Sequence, residues 1–514
     1  MEKAIAKIND LKDGEMREIV IGELTLVLIR KDGKYYAIGG KCSHAGAPLA
    51  EGLLHDHTIR CPWHQACFNM LTGEFIEPPA IDDLPLFNVR ISGDDVIVEI
   101  PEDAKQQIPP KMVKPDKKDK RKFVIIGGGG AGSSAVESLR HNGYQGQIIM
   151  ITRESVLPYD RTALSKGYLK SDDAKLYFDR SKEFYDEYGI EVLTNREVIS
   201  VDKSKKSISF ADGSSMEYDK LLLAMGSIPR QLNVDGSDLG NIFTLRSSAD
   251  ADKIKSLAVK GSKAVVIGAS FIGLETSANL ADRGVSVTIV APETVPFKML
   301  LGDEIGNMYK LLHEEKGNKF RLGTTVKAFD GDGVVKQVIL ENGEKLPADF
   351  VILGVGVTPA TKFLKGIDLN PDGSVSVDDH FQVDDDIYAA GDVATFKWWF
   401  TGEKIRIEHW RLARQHGILA GSNMAGKPAE YRSVPFFWSN QVSANLKYIG
   451  HTKGWDEIVF QGSPENKEFI AYYVKDDKVS AVAFVGNTMQ MLACAQLMQE
   501  NDMPTPDQLR KKPR

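Results

Sequence analysis

The chain has 514 residues, of which 64 are basic and 71 acidic, so its formal net charge is −7. This length predicts about three or four domains. The apolar fraction of 42% and charged fraction of 26% are ordinary for globular proteins, which excludes collagen-like, disordered and disulfide-scaffold chains. The acidic balance disfavours a nucleic-acid partner.

No stretch approaches the about 18–20 consecutive apolar residues of a membrane helix, so we expect no membrane span. Residues 1–10 lack the apolar core of a signal peptide, and we expect a cytoplasmic location.

Residues 5–100 follow the pattern of short strands and turns. The stretch 18–40 alternates apolar and polar residues around Asp32-Gly33, a dipeptide typical of a two-residue hairpin turn. This pattern predicts a small all-β domain. Residues 105–121 are rich in Lys and Pro without apolar periodicity, which indicates a linker. Fully extended, such a linker would span about 55–60 Å, enough for the first domain to dock on its own chain or on another copy.

Two cysteines and two histidines form the sharpest local signal of the sequence. Cys42-x-His44 is followed after sixteen residues by Cys61-x-x-His64. Two Cys on one iron and two His on the other is the ligand set of a Rieske [2Fe–2S] cluster. The alternatives are a Cys₂His₂ zinc site and a structural coincidence. Zinc fingers pair Cys with Cys and His with His, whereas each loop here supplies one of each, which favours the Rieske cluster.

A glycine-rich turn begins the next region of the chain. Gly127-x-Gly129-x-x-Gly132 follows the apolar stretch 123–126 and precedes a helical pattern, as in dinucleotide-binding folds. The glycines would let the backbone approach a pyrophosphate at the helix N-terminus. Glu154, after the following strand, is placed to accept hydrogen bonds from ribose hydroxyls; the alternative is a surface acid.

A second glycine-rich turn repeats this unit about 140 residues later. It reads Gly268-x-Ser270-x-x-Gly273, with Ser at the middle position. Ala291 stands where a ribose-binding acid is usual, and Glu293 is the nearest carboxylate. No Arg follows closely to bind a 2′-phosphate, so we expect NADH, with NADPH as the alternative. Two such folds in one chain suggest FAD in one and NAD(P)H in the other.

Four further motifs carry a family resemblance. They are PYDRTALSK (158–166), LLLAMGSIPR (221–230), FIGLE (271–275) and IYAAGDVATF (387–396). These segments resemble the FAD-dependent pyridine-nucleotide oxidoreductases, most closely the oxygenase-coupled ferredoxin reductases and the apoptosis-inducing-factor group. With its N-terminal Cys/His motif, the chain resembles the Rieske-bearing apoptosis-inducing-factor-like proteins over roughly residues 4–500.

The resemblance implies a multidomain α/β fold with an N-terminal all-β Rieske domain, two Rossmann-like FAD and NAD(P) domains, and a C-terminal α+β domain. The expected divisions are a Rieske domain at 1–104, a linker at 105–121, FAD-binding parts at 122–246 and 375–430, an NAD(P)-binding domain at 247–374, and the C-terminal domain at 431–514. In that last domain the stretch 488–501 has the pattern of a helix.

The resemblance also implies roles for individual residues. Lys166 and Arg161 match the basic pair beside the flavin, where a cation favours the anionic reduced ring. Glu275 matches a residue that orients the nicotinamide, and Trp438 an aromatic that packs near the isoalloxazine. Lys166, Glu275 and Trp438 are the expected catalytic residues. Further cofactor contacts are expected from Gly226, Gly356, Gly391, Asp392, Glu408, His409 and Trp410, although the aromatic residues could instead be part of the core.

These features predict an NAD(P)H-dependent flavoprotein reductase. No cysteine lies between 68 and 493, so we expect no dithiol relay beside the flavin. A hydride would pass to FAD, and single electrons would leave through the Rieske cluster to an unknown acceptor such as a redox protein or oxygenase. The alternatives are direct reduction of a quinone or other small molecule at the flavin, and a redox-sensing interaction protein that oxidises NADH slowly. A homodimer is possible.

Overall fold

The computed structural model describes residues 1–511. These residues divide into two compact units, an N-terminal unit of residues 1–113 and 487–503 and a second unit that contains the remaining described residues. Within residues 1–511, no helix combines the length and the apolar character needed to cross a membrane.

The N-terminal unit is built from antiparallel β-sheet, as predicted. Its six-stranded sheet has the strand order Glu2–Lys7, Asp95–Glu99, Leu86–Ser92, Lys34–Gly39, Leu24–Lys31 and Met16–Ile21. Its four-stranded sheet contains Leu53–His55, Thr58–Arg60, Cys67–Asn69 and Phe75–Glu77. Asp32 and Gly33 connect two strands with φ values of 52° and 71°, which confirms the predicted two-residue turn.

A helix from the far end of the chain completes this unit. The predicted helix is present at Thr488–Gln499, and the division into compact units groups it with residues 1–113. Glu500, just beyond this helix, lies 2.8 Å from Nε2 of His55. The segment 431–514, expected to be one domain, is therefore shared between the two units, and its last three residues lie outside the described part.

The predicted linker 105–121 is attached at both ends. Gln106 exchanges two hydrogen bonds with the backbone of Thr25 in the N-terminal unit. The amide of Asp116 donates to the carbonyl of Gln145 in the second unit at 2.9 Å. No residue of 105–121 belongs to a helix or strand, but because both ends are anchored the free part of the segment is shorter than the 17 residues on which the extended estimate is based.

The second unit contains two mainly parallel sheets, and a glycine-rich turn follows the strand Lys122–Ile126 in the first and Lys263–Ile267 in the second. The first has the strand order Ile190–Leu193, Gln147–Ile151, Lys122–Ile126, Lys220–Leu223, Ile387–Ala389 and Gln382–Asp384, with the last strand antiparallel. The second has the order Ile242–Phe243, Phe350–Leu353, Lys263–Ile267, Ser286–Ala291 and Lys319–Leu322. The prediction of two Rossmann-like folds is therefore confirmed.

Helices cover the two parallel sheets. They are Gly130–His141, Gly167–Lys170, Lys182–Glu187, Ser248–Leu257, Phe271–Asp282, Lys298–Leu301, Asp303–Glu315 and Trp410–Met424. The first and last of these pack with their backbones close together, since a Cβ on Gly417 would lie 2.1 Å from the carbonyl oxygen of Ala131. The segment after residue 374 thereby returns to the first glycine-rich turn.

Smaller sheets complete the second unit. Two antiparallel meanders contain Val198–Asp202, Ser207–Phe210 and Ser215–Glu217, and Val326–Asp332, Val334–Leu340 and Lys345–Pro347. The C-terminal sheet has the order Phe436–Gln441, Ala444–Gly450, Lys478–Val485, Glu468–Lys475 and Glu457–Ser463, and the short helix Pro506–Arg510 follows later.

Arg140 holds the end of the first glycine-loop helix in place. Its fully buried guanidinium donates to the carbonyls of Tyr144 at 2.6 Å, Gly146 at 3.0 Å, Tyr188 at 2.8 Å and Gly189 at 3.0 Å. Burial lowers the pKa of Arg140 to about 10, so the group stays charged at neutral pH. Its four bonds satisfy carbonyls that would otherwise be buried without donors.

We predict that Arg140→Met destabilises the second unit by about 3 kcal/mol or more, because each carbonyl left without a donor costs about 1–3 kcal/mol. Five of the six tryptophans lie in this unit, so urea unfolding followed by tryptophan fluorescence reports on it. Arg196→Met removes a partly exposed ion pair with Asp212 and should cost less than about 1 kcal/mol. Equal effects of the two variants would contradict this role of Arg140.

Candidate functional site

The four predicted metal ligands lie together in the N-terminal unit as two pairs. Nδ1 of His44 and Nδ1 of His64 are 3.1 Å apart, with ring centroids separated by 4.9 Å. The thiols of Cys42 and Cys61 are both buried, and their mutual hydrogen bond together with burial raises the pKa of Cys42 well above its usual value. The two imidazoles therefore face each other, and so do the two thiols.

The two loops that carry these ligands have the same backbone shape. The amide of Cys42 donates to the carbonyl of Ala47, and the amide of Cys61 donates to that of Ala66, both at 2.8 Å. Four residues after each Cys the chain turns left-handed, at Gly46 and at Gln65, whose φ values are 75° and 65°. A left-handed conformation is costly for a residue with a side chain.

Gln65 is held in this conformation by side-chain contacts on both sides. Nη1 of Arg60 donates to its Oε1 at 3.2 Å, and its Nε2 donates to the sulfur of Met491 on the helix Thr488–Gln499. Cys67, the third cysteine of this region, is buried and its thiol donates to the carbonyl of Gln65 at 3.6 Å.

The donor pairs suit a two-iron cluster. Within residues 1–511, no group of three or more His, Cys, Asp or Glu side chains is arranged to hold a single metal ion. A Rieske cluster takes two protein ligands on each iron, both Cys on one and both His on the other. The paired thiols and paired imidazoles match that requirement.

The first glycine-rich turn has a different steric demand at each glycine. Gly127 has φ of 121°, and a Cβ there would lie 2.1 Å from the carbonyl oxygen of Ala224. A Cβ on Gly132 would lie 1.8 Å from the carbonyl oxygen of Gly127, so the helix can approach the strand only without one. A Cβ on Gly129 would meet nothing within 4 Å. Gly129 therefore borders open space at the helix N-terminus, where the pyrophosphate of a dinucleotide would bind.

The second glycine-rich turn repeats the first with one change. A Cβ on Gly268 would lie 2.3 Å from the carbonyl oxygen of Gly354, and one on Gly273 would lie 2.2 Å from that of Gly268. Between them, the hydroxyl of Ser270 donates to the carbonyl of Gly354 at 3.0 Å. The side chain at this position is thus bonded to the neighbouring strand end, which explains how a serine is accommodated.

An ion pair forms after the second strand of the first sheet. Nη2 of Arg161 lies 2.5 Å from Oε1 of Glu154, and the hydroxyl of Tyr159 donates to Oε2 at 2.8 Å. Nη1 of Arg161 also donates to the carbonyl of Arg246. The predicted ribose acceptor and the predicted flavin cation are therefore bonded to each other.

A second ion pair joins the predicted Asp392 to Arg246. Nη2 of Arg246 lies 3.2 Å from Oδ2 of Asp392, and a Cβ on Gly226 would lie 2.7 Å from the same nitrogen. Glu408 lies nearby and pairs with Arg406 at 2.5 Å, and its burial raises its pKa. Charged and glycine residues from four segments thus converge beside the first glycine-rich turn.

The third ion pair links the two predicted catalytic residues Lys166 and Glu275. Nζ of Lys166 lies 3.1 Å from Oε2 of Glu275, which is only 2% exposed. The hydroxyl of Ser165 also donates to Oε2 at 2.5 Å, and that of Ser439 donates to Oε1 at 2.6 Å. Three donors therefore compensate the buried carboxylate.

The predicted aromatic residues lie around these ion pairs. His409 is in edge contact with the ring of Trp438, with centroids 5.5 Å apart. Burial, with Lys166 close by, lowers the pKa of His409 to about 3, so this imidazole is neutral at physiological pH. Trp410 packs against the first glycine-loop helix, since a Cβ on Gly130 would lie 3.1 Å from its ring.

The remaining predicted residues lie at the ends of strands. Gly356 and Gly391 have φ values of 92° and 76°, and the atom nearest to a Cβ on Gly356, apart from its chain neighbours, would be Cδ of Arg230, at 4.0 Å. Glu293 follows the strand Ser286–Ala291, and its carbonyl accepts from the amide of Gly323. A role for Glu293 in binding ribose stays a prediction.

Sequence reasoning missed Arg246, Ser165 and Ser439. Arg246 directly precedes the capping box of helix Ser248–Leu257, in which Ser247 and Asp250 cap each other. A cation at a helix N-terminus opposes the helix dipole, and this unfavourable position is the signal that could have indicated a functional role. The two serines carry no such local signal.

Comparison with known proteins agrees with this geometry. Residues 121–417 match the family model "Pyridine nucleotide-disulphide oxidoreductase", residues 2–88 match "Rieske [2Fe-2S] domain" and residues 436–513 match "Reductase C-terminal". Human "Apoptosis-inducing factor 3" is 38% identical over 495 residues, which cover 94% of this chain and 81% of that protein. Putidaredoxin reductase of Pseudomonas putida is 30% identical over 384 residues, which cover 73% of this chain and 91% of that protein.

A solved structure is similar as well. The crystal structure of the covalent putidaredoxin reductase–putidaredoxin complex matches 76% of this chain and 96% of that chain with a TM-score of 0.71 and 29% identity. These matches indicate FAD, NAD(P)H and a Rieske [2Fe–2S] cluster, in agreement with the paired ligands and the two glycine-rich turns. The chain belongs to the pyridine nucleotide-disulphide oxidoreductase family, as a ferredoxin-reductase-type oxidoreductase that carries its own Rieske domain.

Proposed function

We propose that this protein uses NAD(P)H to reduce its own Rieske centre through FAD, and that a redox protein takes the electrons from the Rieske centre. When bound, FAD accepts a hydride from NAD(P)H and releases electrons singly, and the [2Fe–2S] cluster carries one electron at a time. This proposal rests on one observation, which is that a single chain contains both two glycine-rich turns and a paired Cys₂His₂ ligand set.

The chain's residues have separate tasks in this proposal. Cys42, Cys61, His44 and His64 hold the cluster. Gly127, Gly129 and Gly132 admit the FAD pyrophosphate, while the ion pairs of Glu154 and Asp392 bind its polar groups. These assignments are supported by the steric space and donor sets already described.

The ion pair of Lys166 and Glu275 acts at the flavin ring. A lysine held charged beside a flavin favours the anionic reduced ring electrostatically. Glu275 fixes the position of Lys166 at 3.1 Å and is itself fixed by two serine hydroxyls. Trp438 and the neutral His409 exclude water from this region. Hydride transfer itself needs no acid–base residue, because the hydrogen moves together with its electron pair.

The acceptor is proposed to be a separate redox protein. The similar putidaredoxin reductase was crystallised in a covalent complex with putidaredoxin. In the route proposed for this chain, electrons pass through the resident cluster before they reach such a partner. Direct reduction of a small molecule at the flavin is the competing route, and it would proceed without the cluster.

The first test removes the cluster. We predict that Cys61→Ser or His64→Cys abolishes the Rieske absorbance and EPR signals, and that reduction of the flavin by NADH stays within about threefold of the wild-type rate. Cys67→Ser is the matched control, because this buried cysteine lies outside the Cys42-x-His44 and Cys61-x-x-His64 ligand set and should leave the cluster intact. Stopped-flow absorbance follows flavin and cluster separately.

Transfer to the acceptor distinguishes the two routes. Cytochrome c or an added ferredoxin, as a one-electron acceptor, should be reduced by the wild type and by Cys67→Ser, and at least tenfold more slowly by Cys61→Ser. Unchanged acceptor reduction in Cys61→Ser would show that electrons leave directly from the flavin and would refute the proposed role of the cluster.

The second test fills the space beside Gly129. We predict that Gly129→Val weakens FAD retention at least tenfold, because its side chain occupies open space without striking protein atoms. Urea unfolding followed by tryptophan fluorescence is the control for folding of the second unit, and the Rieske EPR signal of the same sample reports that the N-terminal unit is intact. Gly132→Ala should instead impair folding of the second unit, since its Cβ would lie 1.8 Å from a carbonyl oxygen. Full FAD content in purified Gly129→Val would contradict this site.

The third test concerns the nucleotide. We predict a preference for NADH of less than about 100-fold in kcat/KM, equivalent to ~2.7 kcal/mol. Ala291 removes the usual ribose acceptor, and Glu293 takes its place two residues later. Glu293→Ala should therefore raise the KM for NADH several-fold, whereas Glu304→Ala, on the following helix, should not. A strong preference for NADPH would overturn this assignment.

A further inference from the structure

A buried hydrogen-bond chain continues from Glu275 into the C-terminal sheet and a neighbouring helix. The hydroxyl of Ser439 donates to Oε1 of Glu275 at 2.6 Å, and Nε2 of Gln441 donates to that hydroxyl at 2.9 Å. Oε1 of Gln441 lies 3.1 Å from Nε2 of His313, and Nδ1 of His313 lies 2.9 Å from Nδ2 of Asn318. All five side chains are at most 3% exposed.

The carboxylate determines the direction of every bond in this chain. An ionised carboxylate can only accept, so the proton of Ser439 lies in its bond to Glu275. The hydroxyl oxygen of Ser439 then accepts from the amide nitrogen of Gln441, which leaves Oε1 of Gln441 facing the imidazole. Nε2 of His313 must therefore carry the proton, and its Nδ1 must accept.

We propose that Ser439, Gln441, His313 and Asn318 are positioning residues that hold the carboxylate of Glu275 directed at Lys166. Their donors all point toward the carboxylate, so the dipoles reinforce one another in a low-dielectric interior. A hydrogen bond to a charged acceptor is about twice as strong as a neutral one. The functional consequence at the flavin rests on the proposed function, whereas the direction of the chain does not.

The imidazole of His313 is neutral at physiological pH, as the hydrogen-bond chain requires. Burial lowers the pKa of His313 to about 4, and the nearby charge of Lys316 acts in the same direction. The hydrogen bond that His313 donates to Gln441 acts in the opposite direction, but its influence on the pKa is smaller than that of burial. A neutral ring with one N–H and one acceptor is what a head-to-tail chain requires at this position.

The opposite direction would require a protonated Glu275. A proton on Glu275 could donate to Ser439, and every later bond would then reverse, with Oδ1 of Asn318 turned to accept from Nδ1 of the ring. In the present direction that Oδ1 has no hydrogen-bond partner among the described residues, which is a cost of this direction because a buried acceptor without a donor is destabilising. The present direction gains instead a second, longer bond of 3.4 Å from Nε2 of Gln441 to the carbonyl of Phe271, which reversal would remove.

The tautomer of His313 tests the chain directly. The holoenzyme is labelled with ring-¹⁵N histidine and studied by solid-state NMR, and the His313 signals are assigned by their loss in His313→Gln. We expect a protonated Nε2 and an unprotonated Nδ1 between pH 6 and 8. The Nδ1–H tautomer or a doubly protonated ring would overturn the proposal.

Two substitutions of His313 separate hydrogen bonding from packing. His313→Gln retains an N–H that can donate to Gln441, whereas His313→Leu retains apolar volume and donates nothing. We expect His313→Leu to slow flavin reduction by NADH about tenfold and to shift the flavin midpoint potential. His313→Gln should stay within about twofold on both measures. Tyr309→Phe, on the same helix, is the control, because its hydroxyl bonds to the carbonyl of Ala444 outside the chain.

The outcomes are distinct. A wild-type rate and potential in folded His313→Leu, or equal losses in the Leu and Gln variants, would overturn the positioning role. If His313→Leu does not fold, Gln441→Met interrupts the chain one step nearer to Glu275 and is expected to show the same tenfold loss. A wild-type protein whose flavin neither nucleotide reduces would refute the proposed function, and the tautomer measurement would still decide the direction of the chain.

Discussion

The buried carboxylate of Glu275 is the constraint on which the arrangement of the second unit depends. Removing a carboxylate from water costs several kcal/mol unless donors surround it. Those donors come from distant parts of the chain, with Ser165 and Lys166 after the first glycine-rich turn and Ser439 in the C-terminal sheet. Glu275 itself lies on the helix of the second turn. The buried charge of Glu275 is therefore compensated only when these three segments of the chain pack together.

The two glycine-rich turns have the same steric requirement at their first and third positions. In both, the first and third glycines are required by carbonyl oxygens within 2.3 Å of where a Cβ would stand. The middle position differs, since Gly129 borders open space and Ser270 bonds to the carbonyl of Gly354. The steric requirement at the first and third positions is thus shared, while the middle position differs between the two turns.

The two loops of the Rieske domain that carry the predicted ligands also require a residue with an unusual backbone conformation. Each loop closes through a hydrogen bond from the Cys amide to a carbonyl five residues later, and each needs one left-handed residue. Gly46 adopts that conformation without steric cost, whereas Gln65 needs support from Arg60 and Met491. The second cluster loop therefore depends on the helix Thr488–Gln499, which comes from the opposite end of the sequence.

The sequence by itself determined the antiparallel sheet of the N-terminal unit and the two Rossmann-like folds, and it predicted the Cys and His ligands and the two dinucleotide turns. Those features follow from local sterics and from donor chemistry at fixed spacing, so Cys42 or Gly132 can be interpreted without knowing the rest of the fold. Only the tertiary structure decided that Lys166 pairs with Glu275, that Arg246 pairs with Asp392 and that His313 belongs to the same hydrogen-bond chain as Ser439. The hydrogen-bond partners of buried polar groups are determined by which groups lie close together in the fold and are removed from water together. Proximity and desolvation of this kind leave no periodic pattern in the sequence.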